Sequence, residues 1–381
     1  MFFSFSSLLS AVFLCSLLIM FICFYLRDLG RMVQIGISNI FVFFGIIAIR
    51  LIFPFEFSFS NSFASKYIMP NILSVLHTTV INTFSRSFTI LHILFFAWGI
   101  GIIITAFTTI KNRFYFGKII KQLPILCDSK INKILHTITQ DYKKPVSFEI
   151  IHSNLISTPV LYGFRNPKII VPTIDLIDEE WYFILKHEVI HFYNQDLQIK
   201  MVVQLLRIIY WWNPFVYLLN HQIDKMLEIR TDLEVTKNLN EYEKTKYLDC
   251  LLMVAKNLSS GTHDYYSVAF DNGKSSLLSQ RFHLILGPYN RPNNKSFKNI
   301  LMAIPLVILL CFSYVTVFES YSIAPEDASY TIELTTKNSY LVENQEGGYD
   351  LYFNDAYFGT VNSIKDSYSD LPIYKDIEDA Q

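Results

Sequence analysis

Charge is what this chain lacks most. Only 17% of its 381 residues are Asp, Glu, Lys or Arg, against about 25% in soluble domains. A purely soluble enzyme is not expected from such a balance. Cysteine is also scarce: Cys15, Cys23, Cys127, Cys250 and Cys311, with no CxxC pair. A disulfide scaffold is thereby excluded, and three of the five sit in apolar runs as small hydrophobes. Glycine and proline number thirteen each, too few for collagen or a low-complexity linker. Lys and Arg are dispersed, the net charge is −1, and no groove-reading motif occurs, so direct nucleic-acid binding is not expected.

What is present instead is hydrocarbon. Hydrophobic residues reach 51% and mean hydropathy is +0.30, which points to a polytopic membrane protein. Four stretches are long enough to cross about 30 Å of bilayer: residues 2–26, 32–53, 88–110 and 300–318. The first has no charge before Arg27, so it lacks the basic start and short apolar core of a cleaved signal peptide. Arg50 lies near the end of the second, where its stem can carry the charge to the interface.

Basic residues at the ends of the spans set a direction. Arg27 and Arg31 fill the first turn; Lys111, Arg113, Lys118 and Lys121 follow the third span; Arg281, Arg291, Lys295 and Lys298 precede the fourth. The expected topology has the N-terminus and residues 54–87 outside, residues 111–299 in the cytoplasm, and residues 319–381 outside. From Glu319 onward 13 acids face 3 lysines, a net −10, whereas the other 318 residues carry a net +9. Such a split suits two compartments. The stretch 201–220 is apolar but interrupted by Arg207 and Asn213-Pro214. It reads as a helix–break–helix in or against the inner leaflet, or as a buried helix pair.

Within the cytoplasmic segment stands His187-Glu188-Val189-Ile190-His191, the HExxH pattern. Residues four apart share a helix face, so both imidazoles can hold one zinc ion while Glu188 serves as general base toward a bound water. Asp178 is the expected N-cap, with Glu179 and Glu180 in the first turn. A catalytic zinc needs a third protein ligand. Glu228, four residues before Asp232, is the candidate, with Asp232 accepting a hydrogen bond from a ligand imidazole. Asp224 competes for the ligand role, Asp196 reads as a helix-end or supporting group, and His221 as an interfacial histidine. Upstream, Val146, Phe148 and Ile150 alternate and residues 168–171 form a second short strand. They give a hairpin, or an edge that could bind an extended peptide.

These landmarks occur in an order that resembles the BlaR/MecR-type integral membrane zinc metallopeptidases. The resemblance runs through residues 1–320: IRLIFPFEFSFS, STPVLYGFRNPKIIVP, KHEVIHFYNQD, YWWNPFVY, LEIRTDLEV, and the basic stretch FDNGKSSLLSQRFHLIL before the last span. It implies four membrane helices around an inserted cytoplasmic α+β metallopeptidase domain of gluzincin type. It implies also a zinc cofactor, with His187, His191 and Glu228 as ligands and Glu188 as base. Its substrate would be a protein or peptide, either the chain itself or a cytoplasmic transcriptional repressor, in antirepressor signal transduction at the cell membrane. The tail after Phe318 contains no Ser-x-x-Lys, so covalent acylation by a beta-lactam is not expected there. Residues 330–334 and 349–357 of that tail hint at a small β unit. Two competing readings remain at this stage: a CAAX-processing or HtpX-like quality-control protease, and a non-catalytic receptor with a structural metal.

Overall fold

The computed structural model describes the chain apart from residues 1–3, 28–31, 33–34, 58, 66–67, 84–85, 145, 261–270, 288–295, 321–333, 337, 345–347, 362–367, 369–370 and 376–381. Arg31, Arg291, Lys295, Gly347 and the 330–333 part of the tail's first β stretch therefore lie outside the described residues. Residues Met1–Ser320 form one compact unit and Tyr321–Gln381 a second.

Helix α1 (Phe5–Tyr25) begins where Ser4 and Ser7 bond reciprocally to each other's backbone N–H, satisfying two of the donors a helix start leaves open. It is long and apolar enough to cross a membrane, as is α4 (Ile90–Gln122). Between them α2 (Ile37–Ile52) is shorter than expected at 16 residues. The intervening segment, read from the sequence only as a loop, holds β1 (Asn61–Ser65), α3 (Ile68–His77), β2 (Thr79–Thr83) and β3 (Arg86–Thr89). Helix α4 runs 33 residues, so the basic stretch after residue 110 continues the helix rather than ending it.

Next come α5 (Ser129–Thr139) and a three-stranded sheet of β4 (Glu149–Ser153), β5 (Val160–Tyr162) and β6 (Lys168–Pro172) in the order β4-β6-β5. The expected hairpin is not formed: β4 and β6 are parallel, and β5 returns antiparallel on β6. The reason lies in the Pro and Gly punctuation, which leaves room for a third strand between them. Helices α6 (Asp178–Tyr193), α7 (Asp196–Ile209), α8 (Pro214–Thr236), α9 (Glu241–Ser260), α10 (Asp271–Leu286) and α11 (Ser296–Val315) follow, then β7 (Thr316–Ser320). The fourth apolar stretch thus ends early, and β7 pairs in parallel with β1.

Two main cores divide this unit, with Ile120, Ile151 and Ile170 as a smaller cluster beside them. One joins Leu18, Ile19 and Ile22 of α1, Ile47 and Leu51 of α2, Leu206 of α7, and Leu219 and Met226 of α8. The other packs Ile150 and Ile169 of the sheet against Trp181, Leu185 and Val189 of α6 and Tyr247 of α9. Burying each such side chain of the second core against water contributes roughly 1.5–3 kcal/mol.

Helices α7 and α8 are the break expected in residues 201–220. Asn213 accepts from the Phe215 N–H at 2.9 Å as N-cap, and Pro214 opens α8, the position where a missing N–H costs nothing. The turn is tied into the apolar helices: Asn213 Nδ2 donates to Ser16 Oγ at 3.1 Å, the Tyr210 hydroxyl to Leu51 O at 2.7 Å, and Trp98 Nε1 to Ile209 O at 2.6 Å. Arg50 corrects an expectation. Its side chain does not reach out along the interface but is 1% exposed. It donates to Phe55 O at 2.7 Å and Ser313 O at 3.2 Å, because carbonyls at the ends of α2 and α11 supply acceptors within the packing.

The second unit is a four-stranded sheet, order β10-β9-β8-β11, from β8 (Ser339–Glu343), β9 (Tyr349–Phe353), β10 (Ala356–Val361) and β11 (Ile373–Tyr374). Leu341, Leu351 and Leu371 form its core. Asn354 and Asp355 both take positive φ, 47° and 63°, the turn that closes a two-residue hairpin.

Candidate metal centre

Helix α6 starts at Asp178, the residue expected to cap it, so the cap lies one residue earlier. Ile177 is the N-cap, and Glu180 folds back to accept from the Ile177 N–H at 2.9 Å. Asp178, Glu179 and Glu180 all lie in the first turn, where carboxylates favour the dipole. The apolar face of α6 is buried in the second core, which fixes the rotation of the helix and turns His187 and His191 toward α8.

There the two Nε2 atoms stand 3.0 Å apart. Glu228 brings Oε2 to 3.5 Å from His187 Nε2 and Oε1 to 3.7 Å from His191 Nε2. Tetrahedral zinc with bonds of about 2.0–2.1 Å separates its ligand atoms by about 3.3 Å, so the spacing fits such an ion. The contacts of the other ring nitrogens leave both Nε2 atoms turned toward the place a metal would take. His191 Nδ1 faces Asp196 Oδ2 at 2.6 Å, and a carboxylate leaves the imidazole as donor there. His187 Nδ1 faces the Tyr247 hydroxyl at 2.9 Å, and that hydroxyl gives its own proton to Asp232 Oδ1 at 2.7 Å. It therefore accepts from Nδ1. Two lone pairs 3.0 Å apart repel unless a cation or proton lies between them, which is the condition a metal site creates.

Asp232 departs from expectation in one respect. Its Oδ1 is 3.6 Å from His187 Nδ1, too far for a hydrogen bond, and Tyr247 relays the contact. Asp232 is instead clamped by Arg281 of α10, whose Nε and Nη2 donate to its two oxygens at 2.5 and 2.8 Å. Asp196 opens α7 because Gln195, at φ 60°, reverses the chain; its other oxygen meets Arg230. Asp224 is not in the cluster: it accepts from Asn220 at 3.0 Å and lies near Lys200. His221 is exposed on α8. Glu188 is buried beside His191.

The charges are balanced rather than neutralised. Burial works against ionising Glu228, but the His187 contact and the positive charges of His191 and Arg281 hold its carboxyl well below the usual range. Burial likewise opposes the His191 imidazolium, yet the Asp196 hydrogen bond, Glu228 and Glu188 raise its pKa above the ordinary value. Burial and the Asp232 charge push the Tyr247 phenol well up, so it stays a neutral donor.

Sequence reasoning missed Tyr247, Arg281 and Thr231, whose hydroxyl stands 3.2 Å from His191 Nδ1. A tyrosine 60 residues from its histidine leaves no periodic signal. Arg281 was legible only as one of the flanking basic residues.

Facing imidazoles, a carboxylate from a second helix and an adjoining glutamate form a group of the kind a metallopeptidase uses to hold a metal ion. The chain itself belongs to the BlaR1 peptidase M56 family, matched over residues 6–285. Among curated proteins it is 30% identical over 161 residues to the regulatory protein BlaR1 of Bacillus licheniformis, covering 42% of this chain and 27% of that one. To the methicillin resistance mecR1 protein of Staphylococcus aureus it is 25% identical over 179 residues, 43% and 30% of the respective lengths. To BlaR1 of Staphylococcus aureus it is 27% identical over 187 residues, 48% and 32%. The chain therefore aligns with about a third or less of each relative.

Proposed function

We propose that the chain is a zinc-dependent endopeptidase set in the cell membrane, a sensor-transducer that cleaves itself or a cytoplasmic repressor in response to an extracellular signal. The observation that carries this reading is the convergence of His187, His191 and Glu228, whose donor atoms lie within 4.8 Å of one another. In it, the two Nε2 atoms and the Glu228 carboxylate are the ligands and Glu188 is the base. A bound zinc would polarise the scissile carbonyl and bring the pKa of its water toward 7. Asp196 and Tyr247 hold the imidazoles in the tautomer that offers Nε2. The Glu188 carboxylate takes the proton of the attacking water and returns it to the departing amine nitrogen.

Four membrane helices, α1, α2, α4 and α11, with residues 111–299 on the cytoplasmic face and 319–381 outside, complete the reading. Support for the site's depth comes from helix lengths at 1.5 Å per residue. The α7–α8 turn meets α1 at Ser16 and α4 at Trp98, about 12–16 Å from their outer ends. Glu228 lies fourteen residues along α8, about 21 Å further in. That depth matches the inner surface of a hydrocarbon layer about 30 Å thick, where a cytoplasmic peptide can enter.

The test uses the full chain in membrane vesicles. Wild type carries one zinc and processes itself or a co-expressed repressor; Glu188→Gln keeps the zinc and loses the cleavage. Undiminished cleavage by Glu188→Gln removes the enzymatic reading, and zinc retained after His187→Ala with His191→Ala removes the assigned site.

A further inference from the structure

Arg281 is 49 residues from the nearest acid it touches and stands on a different helix from every ligand. Its side chain is 13% exposed, and all three guanidinium nitrogens face carboxylates. Nε and Nη2 donate side by side to the two oxygens of Asp232, while Nη1 stands 3.6 Å from Glu228 Oε2. A planar fork with fixed donor directions is the group that can bridge two carboxylates in this way; an ammonium cannot. Asp232 in turn receives the Tyr247 hydroxyl that fixes His187. One guanidinium thus acts on two of the three donors: on Glu228 by a charge contact at 3.6 Å, and on His187 by hydrogen bonds through Asp232 and Tyr247.

Where α10 sits gives this contact its meaning. Leu284 belongs to the core shared with α1 and α2, and Ile285 to the core of the sheet and α6. Helix α10 therefore straddles both cores, and ten residues after Leu286 the chain enters α11. Removing α10 from its seat would leave Asp232, 1% exposed, and Glu228 as two adjacent carboxylates without their cation, a costly arrangement.

The geometry points to Arg281 as a positioning residue that makes the metal centre conditional on the docking of α10, so that the helix leading to the last apolar span controls the order of Glu228 and His187. This rests on the metal reading proposed above. It assigns Arg281 no contact with substrate.

Reciprocity supplies the test: if a docked α10 raises metal affinity, bound metal must favour the docked α10 by the same factor. Zinc is titrated into the metal-stripped full chain in nanodiscs, and hydrogen exchange is followed over residues 277–286 with and without zinc. In wild type, zinc slows exchange in that stretch. Both Arg281→Met and Arg281→Lys lose zinc affinity by about 10–100-fold, and zinc no longer slows α10. The exposed Arg165→Met is the charge control and keeps wild-type behaviour. Because Arg281→Met leaves the buried Asp232 without its cation, the metal-free variants unfold at lower midpoints, and persisting hydrogen-exchange protection over the sheet and α6 shows that their fold stands. The cobalt(II) spectrum of Arg281→Lys shifts from that of wild type because the carboxylate is no longer aligned. If Arg281→Met and Arg281→Lys bind zinc as wild type does, the inference falls while the metal site stands. If wild type itself binds no zinc, the proposed function falls first.

Discussion

Asp232 Oδ1 stops 3.6 Å short of His187 Nδ1, and the Tyr247 hydroxyl, 2.7 Å from the one and 2.9 Å from the other, fills the gap. Replacing Tyr247 by Phe removes that hydroxyl and nothing else of size. His187 Nδ1 is then a buried donor without its acceptor, at a cost of about 1–3 kcal/mol. Asp232 keeps its Arg281 bonds, so the fold survives. The expected outcome is a lower denaturation midpoint of the metal-free chain together with about tenfold weaker zinc binding. Equal zinc affinity for Tyr247→Phe and wild type would show that the relay does not orient the ring.

Asp196 plays the corresponding part for His191, without an intermediary. Asp196→Ala leaves His191 Nδ1, among the described residues, the Thr231 hydroxyl at 3.2 Å and leaves Arg230 without the carboxylate it meets. Zinc affinity is expected to drop about 10–100-fold, as read by competition with a chromogenic chelator. Asp224→Ala, four residues from Glu228 but outside the cluster, is expected to leave it unchanged. A larger loss at Asp224 than at Asp196 would reverse the assignment of supporting and bystander acids.

The proposed orientation is open to a labelling experiment with a native residue. Cys127 is exposed between α4 and α5 and belongs to the segment placed in the cytoplasm, whereas Cys15, Cys23 and Cys250 are buried. With Cys311 replaced by Ser, a membrane-impermeant maleimide is expected to modify Cys127 in inside-out vesicles and not in intact cells. Labelling in intact cells would invert the topology.

Much of the centre was legible because it is local. His187 and His191 are four apart on one helix, Glu228 and Asp232 four apart on another, and a helix period needs no tertiary knowledge to be read. The helix break at Asn213-Pro214 was equally local, since the cap and the imino ring act within one turn. What escaped are contacts of high sequence separation. Tyr247 and Arg281 acquire their roles only once α9 and α10 pack beside α6 and α8. The parallel pairing of β4 with β6 depends on β5 inserting antiparallel on the far side of β6, and alternation in a single strand carries no partner information. Arg50 was misplaced for the same reason. Its acceptor Ser313 O lies 263 residues away, so sequence context offered only the interface.

The docking of the α7–α8 turn onto α4 depends on the absence of a side chain. A Cβ at Gly101 would lie 2.1 to 2.5 Å from ring atoms of Trp211, and Trp211 Nε1 donates to Trp98 O at 3.3 Å one turn earlier on α4. The hydrogen bond to Trp98 O thus holds the indole against α4 where the methyl would sit. Gly101→Ala is expected to lower stability by about 1–3 kcal/mol through overpacking, seen as a fall in Tm of the detergent-solubilised chain and a change in tryptophan emission. Shrinking the ring with Trp211→Leu opens the space the methyl needs. The double variant Gly101→Ala with Trp211→Leu should therefore lose less than the two single changes together. Because Glu228 sits fourteen residues from the start of the helix that this turn anchors, Gly101→Ala should also weaken zinc binding, and the double variant should recover part of it. Strict additivity of the two changes, in Tm and in zinc affinity alike, would mean that the turn does not rest on Gly101 and that something else fixes the depth of α8.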